Sequence, residues 1–103
     1  MGSEMCIRDS NKGQVLPLHY HNEFERTALR TSECVFVFKG KIECNLHSED
    51  GHFIEKVIVS EGEFIINLSQ AHESKILEDT IVLEVKNGPY FGPEKDRTRI
   101  EKK

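Results

Sequence analysis

The chain has few cysteines, no long apolar run, no surplus of positive charge and no helical periodicity, and each absence removes a class of protein. Its three cysteines, Cys6, Cys34 and Cys44, form neither a paired disulfide framework nor the C-x2-C spacing of a zinc site. Cys34 and Cys44 fall in predicted strands, where a free thiol behaves as a small buried hydrophobe. No segment approaches the roughly 20 apolar residues that a membrane helix needs. A formal charge of -4 and a pI near 5.7 leave no basic face for phosphate. The expectation is therefore no nucleic-acid partner and no membrane. The C-terminal cations Lys95, Arg97, Arg99, Lys102 and Lys103 alternate with Glu94, Asp96 and Glu101, which reads as a solvated, charged tail over residues 93–103. Met1 to Ser10 has no apolar centre of the signal-peptide kind, so the expected compartment is a reducing cytoplasm.

What remains is a chain of 103 residues, 37% hydrophobic and 31% charged, enough for one domain with a small core. It reads almost entirely as strands. Gln14 to Tyr20 alternates, with Val15, Pro17, His19 and His21 on one face and Leu16, Leu18 and Tyr20 on the other. Cys34 to Phe38 is a continuous apolar run suited to a strand covered on both faces. Gly40 allows a tight turn, and Lys41 to His47 alternates again, with Ile42, Cys44 and Leu46 inward and Lys41, Glu43, Asn45 and His47 outward. Asp50-Gly51 is a hairpin turn, which leaves His47 and His52 at solvent. Phe53 to Val59, Glu63 to Asn67, His72 to Leu77 and Thr80 to Val85 complete the predicted strands. Short strands at regular spacing imply an all-β antiparallel sandwich or barrel.

His19 and His21 carry the chemistry. At i and i+2 on a strand they point the same way and can hold one ion from a rigid support. Imidazole with carboxylate suits a divalent transition metal: Fe, Mn, Ni, Co or Zn. The run Gly13-x5-His19-x-His21, an eleven-residue spacer, then Glu33-x6-Gly40, resembles the first motif of the cupin superfamily. That motif has three or four residues between the histidines and the glutamate, so the spacer here is longer. The stretch from Gly62 to His72 resembles the second motif, one residue short and with Leu68 to Ala71 in place of its proline and inner glycine. The resemblance implies a jelly-roll β-barrel over residues 11–92, with metal ligands His19, His21, Glu33 and His72. Glu25 competes with Glu33 because it fits the shorter family spacing. Glu33 is preferred because the apolar strand that follows fixes its position, and Val35 and Val37 would face inward with it.

Residues 84–90, then Lys95 to Arg97, and the segment Asn22 to Thr31 are similar to small single-domain cupins linked with bacterial surface-polysaccharide biosynthesis. Such a metal site implies a small-molecule ligand, a sugar among the candidates, and isomerase- or epimerase-like chemistry in which Glu25 or Tyr20 moves protons and Arg26, with Arg30, orients substrate, Tyr20 otherwise packing on the opposite face of its strand. A non-enzymatic metal- or sugar-binding module and an iron dioxygenase are the alternatives. Met5 to Ser10 resembles the translation of a transposon adapter used in sequencing libraries, so Met1 to Ser10 is set aside as a non-native leader, and one or two native N-terminal strands are expected to be missing. Phe36, Phe38, Leu16 and Leu18, opposite the ligand face, predict a homodimer. Tyr90 and Phe91 are expected to pack at the end of the last strand.

Overall fold

A computed structural model describes residues 8–89 and 91–103; Cys6, Tyr90 and residues 1–7 of the leader lie outside the described residues. The architecture is all-β. Six strands follow in order: β1 Glu33–Lys39, β2 Lys41–His47, β3 Phe53–Ser60, β4 Phe64–Asn67, β5 Ala71–Ile76 and β6 Ile81–Lys86. One turn of helix, α1 Pro93–Asp96, precedes the C-terminus. The strands form two antiparallel three-stranded sheets, ordered β4-β1-β6 and β3-β2-β5. Every strand predicted from Cys34 onward is present, with ends moved by one residue or so.

Period-two alternation decides what lies between the sheets. Val35 and Val37 of β1, Ile42 and Cys44 of β2 and Val59 of β3 are buried, with Val57 and Ile65 packed against them. Glu33 shares the inward parity of Val35 and Val37, as its register predicts. Burial raises the Cys44 thiol above its ordinary pKa, which suits the packing role expected of it.

Three expectations are corrected. Gln14 to Tyr20 forms no strand; it runs as an exposed arm, because no neighbouring strand pairs with it and Pro17 removes one ladder donor. The sheets do not close into a barrel, since β3, β4, β5 and β6 each keep one unpaired edge among the described residues. His47 is buried, 8% exposed, while Leu46 is only half-buried. At that point the β2–β3 pairing slips, so that Leu46 faces Glu55 but His47 faces Phe53, and the bulge sets the Phe53 ring edge-on to the imidazole at 5.6 Å. The arm also explains a radius of gyration of 16.7 Å, against roughly 13 Å for a compact chain of this length.

The two central strands, β1 and β2, belong to different sheets yet are separated by one residue, Gly40. Its φ is +102°, and a Cβ there would strike Thr80 Oγ1 and the Asp79 carbonyl. Thr80 Oγ1 receives the Lys41 amide (3.1 Å), and the Leu77 amide donates to the Lys41 carbonyl (3.0 Å), so the corner is tied to the β5–β6 crossing. Gly40→Ala is expected to destabilise by about 3 kcal/mol or more through strain and overlap together. Gly62→Ala, at φ +81° with open space around it, should cost about 1 kcal/mol. Urea unfolding of both variants checks the contrast, and equal losses would refute the corner's role.

Candidate functional site

The inward ends of β1, β4 and β6 converge on one carboxylate. Cross-strand register sets Glu33 beside Asn67 on one side and Lys86 on the other. From the facing sheet β5 presents His72, whose Nε2 lies 2.9 Å from Glu33 Oε1. Asn67 Nδ2 donates to the same oxygen at 3.4 Å, and Lys86 Nζ is 3.9 Å from Oε2. Asn67 is 5% exposed and its Oδ1 is buried without a hydrogen-bond partner. An unsatisfied buried acceptor costs about 1–3 kcal/mol.

His72 Nδ1–H donates to the Gln70 carbonyl at 3.3 Å, which fixes the ring with Nε2 toward Glu33. His19 makes the same local contact, Nδ1–H to the Pro17 carbonyl at 2.8 Å. In both, a backbone carbonyl holds Nδ1 and turns Nε2 outward, the arrangement usual for a metal-binding imidazole; in His72 that nitrogen meets Glu33.

The four expected ligands fall into two pairs. Glu33 and His72 meet across the sheets. His19 and His21 meet each other in the exposed arm, ring centroids 5.3 Å apart. Among the described residues no three His, Cys, Asp or Glu side chains come together as a metal-binding group. Glu25 and Arg26 also lie on the arm; Arg26 stacks over the Phe24 ring at 3.7 Å and reaches the Asn22 carbonyl at 3.4 Å. Arg30 pairs with Glu49 and donates to the Ser69 carbonyl.

Around Glu33 and His72 opens a cleft of about 1220 Å³, lined also by His47, Asn67, Lys86 and Glu73. The C-terminal residues line its far side. They are solvated as expected but also fastened: Asp96 bonds Thr31, the Lys103 amide donates to the Gly51 carbonyl at 3.0 Å, and Lys102 Nζ is 2.7 Å from Glu73 Oε1. Phe91, expected to pack, is exposed at this rim. Sequence reasoning missed His47, Asn67, Lys86 and Glu73. Only Asn67 carried a readable signal, a polar residue closing an apolar strand; His47 depends on a bulge in its own hairpin, and Lys86 and Glu73 on pairing between distant segments.

No protein-family model, no curated protein and no solved structure matches the chain.

The Lys102 hydrogen bond holds the Glu73 carboxyl below its ordinary pKa of 4.5. A depressed carboxylate contributes above its unfolded pKa, and the contribution is lost as pH falls through the folded value. The tail should therefore stay fastened at neutral pH and loosen at a pH below 4.5. Lys102→Ala should return Glu73 toward its ordinary value. An NMR titration of the Glu73 side chain in both proteins checks this; ordinary titration of Glu73 in the wild type would refute the latch.

Proposed function

We propose that this chain is a cupin-type metal-binding module, in which a divalent transition metal is held by His19, His21, Glu33 and His72 and a small polar molecule, a sugar among the candidates, binds in the adjoining cleft. The observation that carries the reading is the Glu33–His72 contact. Two ligands about 2.0–2.1 Å from a tetrahedral metal lie roughly 3.3 Å from each other. The observed donors are 2.9 Å apart, so an ion can enter between them with little movement. The partnerless Asn67 Oδ1 beside them is a further hard donor.

Topology supports the same reading. A jelly roll folds eight strands into two antiparallel sheets, with strands ordered 1-8-3-6 and 2-7-4-5 along the chain. If β1 to β6 are its third to eighth strands, the observed orders β4-β1-β6 and β3-β2-β5 become 6-3-8 and 5-4-7. The strand still to be added next to β5 is the second, and Gln14 to His21 is the alternating segment that precedes β1. Added to the free edge of β5, it would bring His19 and His21 beside His72. In the described arrangement that histidine pair lies apart, so the site is completed by this addition.

A bound divalent ion would supply Lewis acidity toward a carbonyl or hydroxyl of the ligand. The chain's own groups would orient it: Lys86 and Asn67 flank Glu33, and Arg30 stands at the cleft wall. Arg26 and Glu25 could join them only with the arm added.

The test is metal uptake, measured by elemental mass spectrometry and calorimetry after separate reconstitution with Fe, Mn, Ni, Co and Zn. One ion per chain is expected. Glu33→Gln, His72→Ala and His19→Ala should each weaken binding by about a hundredfold or more, beyond the loss typical of supporting residues. A wild-type chain that takes up none of these ions would overturn the reading. Uptake unaffected by His19→Ala would overturn the addition of the arm.

A further inference from the structure

Register assigns every residue of the β4-β1-β6 sheet to a face. Opposed residues share a face, so Cys34 goes with Ile66 and Val85, and Phe36 with Phe64 and Leu83. Phe38 and Ile81 complete that side by strand parity. These eight residues are uncharged and apolar; Lys39, opposed to Ile81 across the bulge that follows Val37, adds one charge at the end of the face. The inner face, which should be the oily one, instead carries Glu33, Asn67, Glu84 and Lys86 beside its valines. Phe38, Phe64, Ile81, Leu83 and Val85 each leave 58–68% of their surface open.

The other sheet is the opposite. Its outer face holds Lys41, Glu43 and Asn45, opposed by Ser60, Ile58 and Lys56 on β3 and by Lys75 and Glu73 on β5. That face is built for water. A solvated antiparallel sheet alternates apolar inside with polar outside, and the β4-β1-β6 sheet breaks the rule on its outer side.

We infer that the outer face of the β4-β1-β6 sheet is the interface of a homodimer, packed sheet on sheet across a two-fold axis. The patch presents roughly 600 Å² of apolar surface per chain, taking about 150–250 Å² for each large side chain. Two copies then bury about 1,200 Å², the lower end of what a specific interface needs. Its near lack of charge selects the occupant. A partner recognised by ionic contacts would find only Lys39, at the end of the face, whereas self-association across a two-fold axis sets the apolar rows against each other. The chain's negative surplus does not oppose this, because the one charge on the face is that cation. Phe is also among the side chains enriched at interface cores. The expected partner face is narrower than the sequence implied: Leu16 and Leu18 lie on the separate arm.

Sedimentation equilibrium of the full chain in reducing buffer tests this without reference to metal. The wild type is expected at twice its 11.9 kDa, with dissociation only toward low micromolar concentration. Leu83→Lys and Phe64→Lys alter side chains already open in the protomer, so circular dichroism should stay unchanged while self-association weakens thirtyfold or more. Ile58→Lys, on the polar sheet, should leave the dimer intact. A wild-type monomer at 100 micromolar would overturn the inference, as would a dimer that survives both sheet-face variants. A folded monomer in both variants, with the Ile58 variant still dimeric, supports it.

Discussion

The single-residue corner at Gly40 is the constraint on which this architecture depends. β1 and β2 are the central strands of their respective sheets, so each accepts neighbours on both edges, and the chain passes from one to the other without a loop. The turn fixes how the two inner faces meet. Val35 and Val37 are thereby set against Ile42, Cys44 and Val59, the buried apolar core among the described residues. A core of five residues tolerates little misalignment, which is why the corner is stapled by Thr80 from the crossing that follows β5.

Local pattern reveals strands well and partners poorly, and this chain separates the two. Every strand from β1 to β6 was legible, since each combines alternation or an apolar run with turn residues at its ends. The inward set Val35, Val37, Ile42 and Cys44 followed from parity alone. Gln14 to Tyr20 alternates as cleanly as β2, yet alternation states which residues share a face and not whether an edge receives the strand. His47 failed for another reason. Its burial follows from a bulge in the β2–β3 hairpin, and alternation within β2 alone does not show where the pairing slips.

The site divides along the same line. Glu33 was legible because its parity with Val35 and Val37 turned it inward, and His72 because it follows a turn and a short strand. Their contact at 2.9 Å belongs to opposite sheets, so it depends on the corner and not on either strand. Asn67 and Lys86 enter through register with β1, one from each flanking strand. Asn67 Oδ1 left unsatisfied is the local conflict with good packing practice, and such conflicts concentrate where a protein binds something. Glu25 and Arg26 carry suitable chemistry but sit on an arm whose position the six strands do not determine.

The apolar outer face and the polar inner site are two sides of one row of residues. Glu33, Asn67 and Lys86 point inward from positions next in sequence to Cys34, Ile66 and Val85, which point outward. Whatever immobilises the outer trio immobilises the backbone that carries the inner one. β4 and β6 are short edge strands, each paired on one side only among the described residues, and edges of this kind fray first. Packing a second copy against Phe36, Phe64 and Leu83 would press both edge strands onto β1 and narrow the spread of Asn67 and Lys86 around Glu33. A chain with so small a core thus has reason to dimerise on this face: the stiffness that a binding site needs, and that five buried residues supply only at the corner, would come through the sheet from its partner.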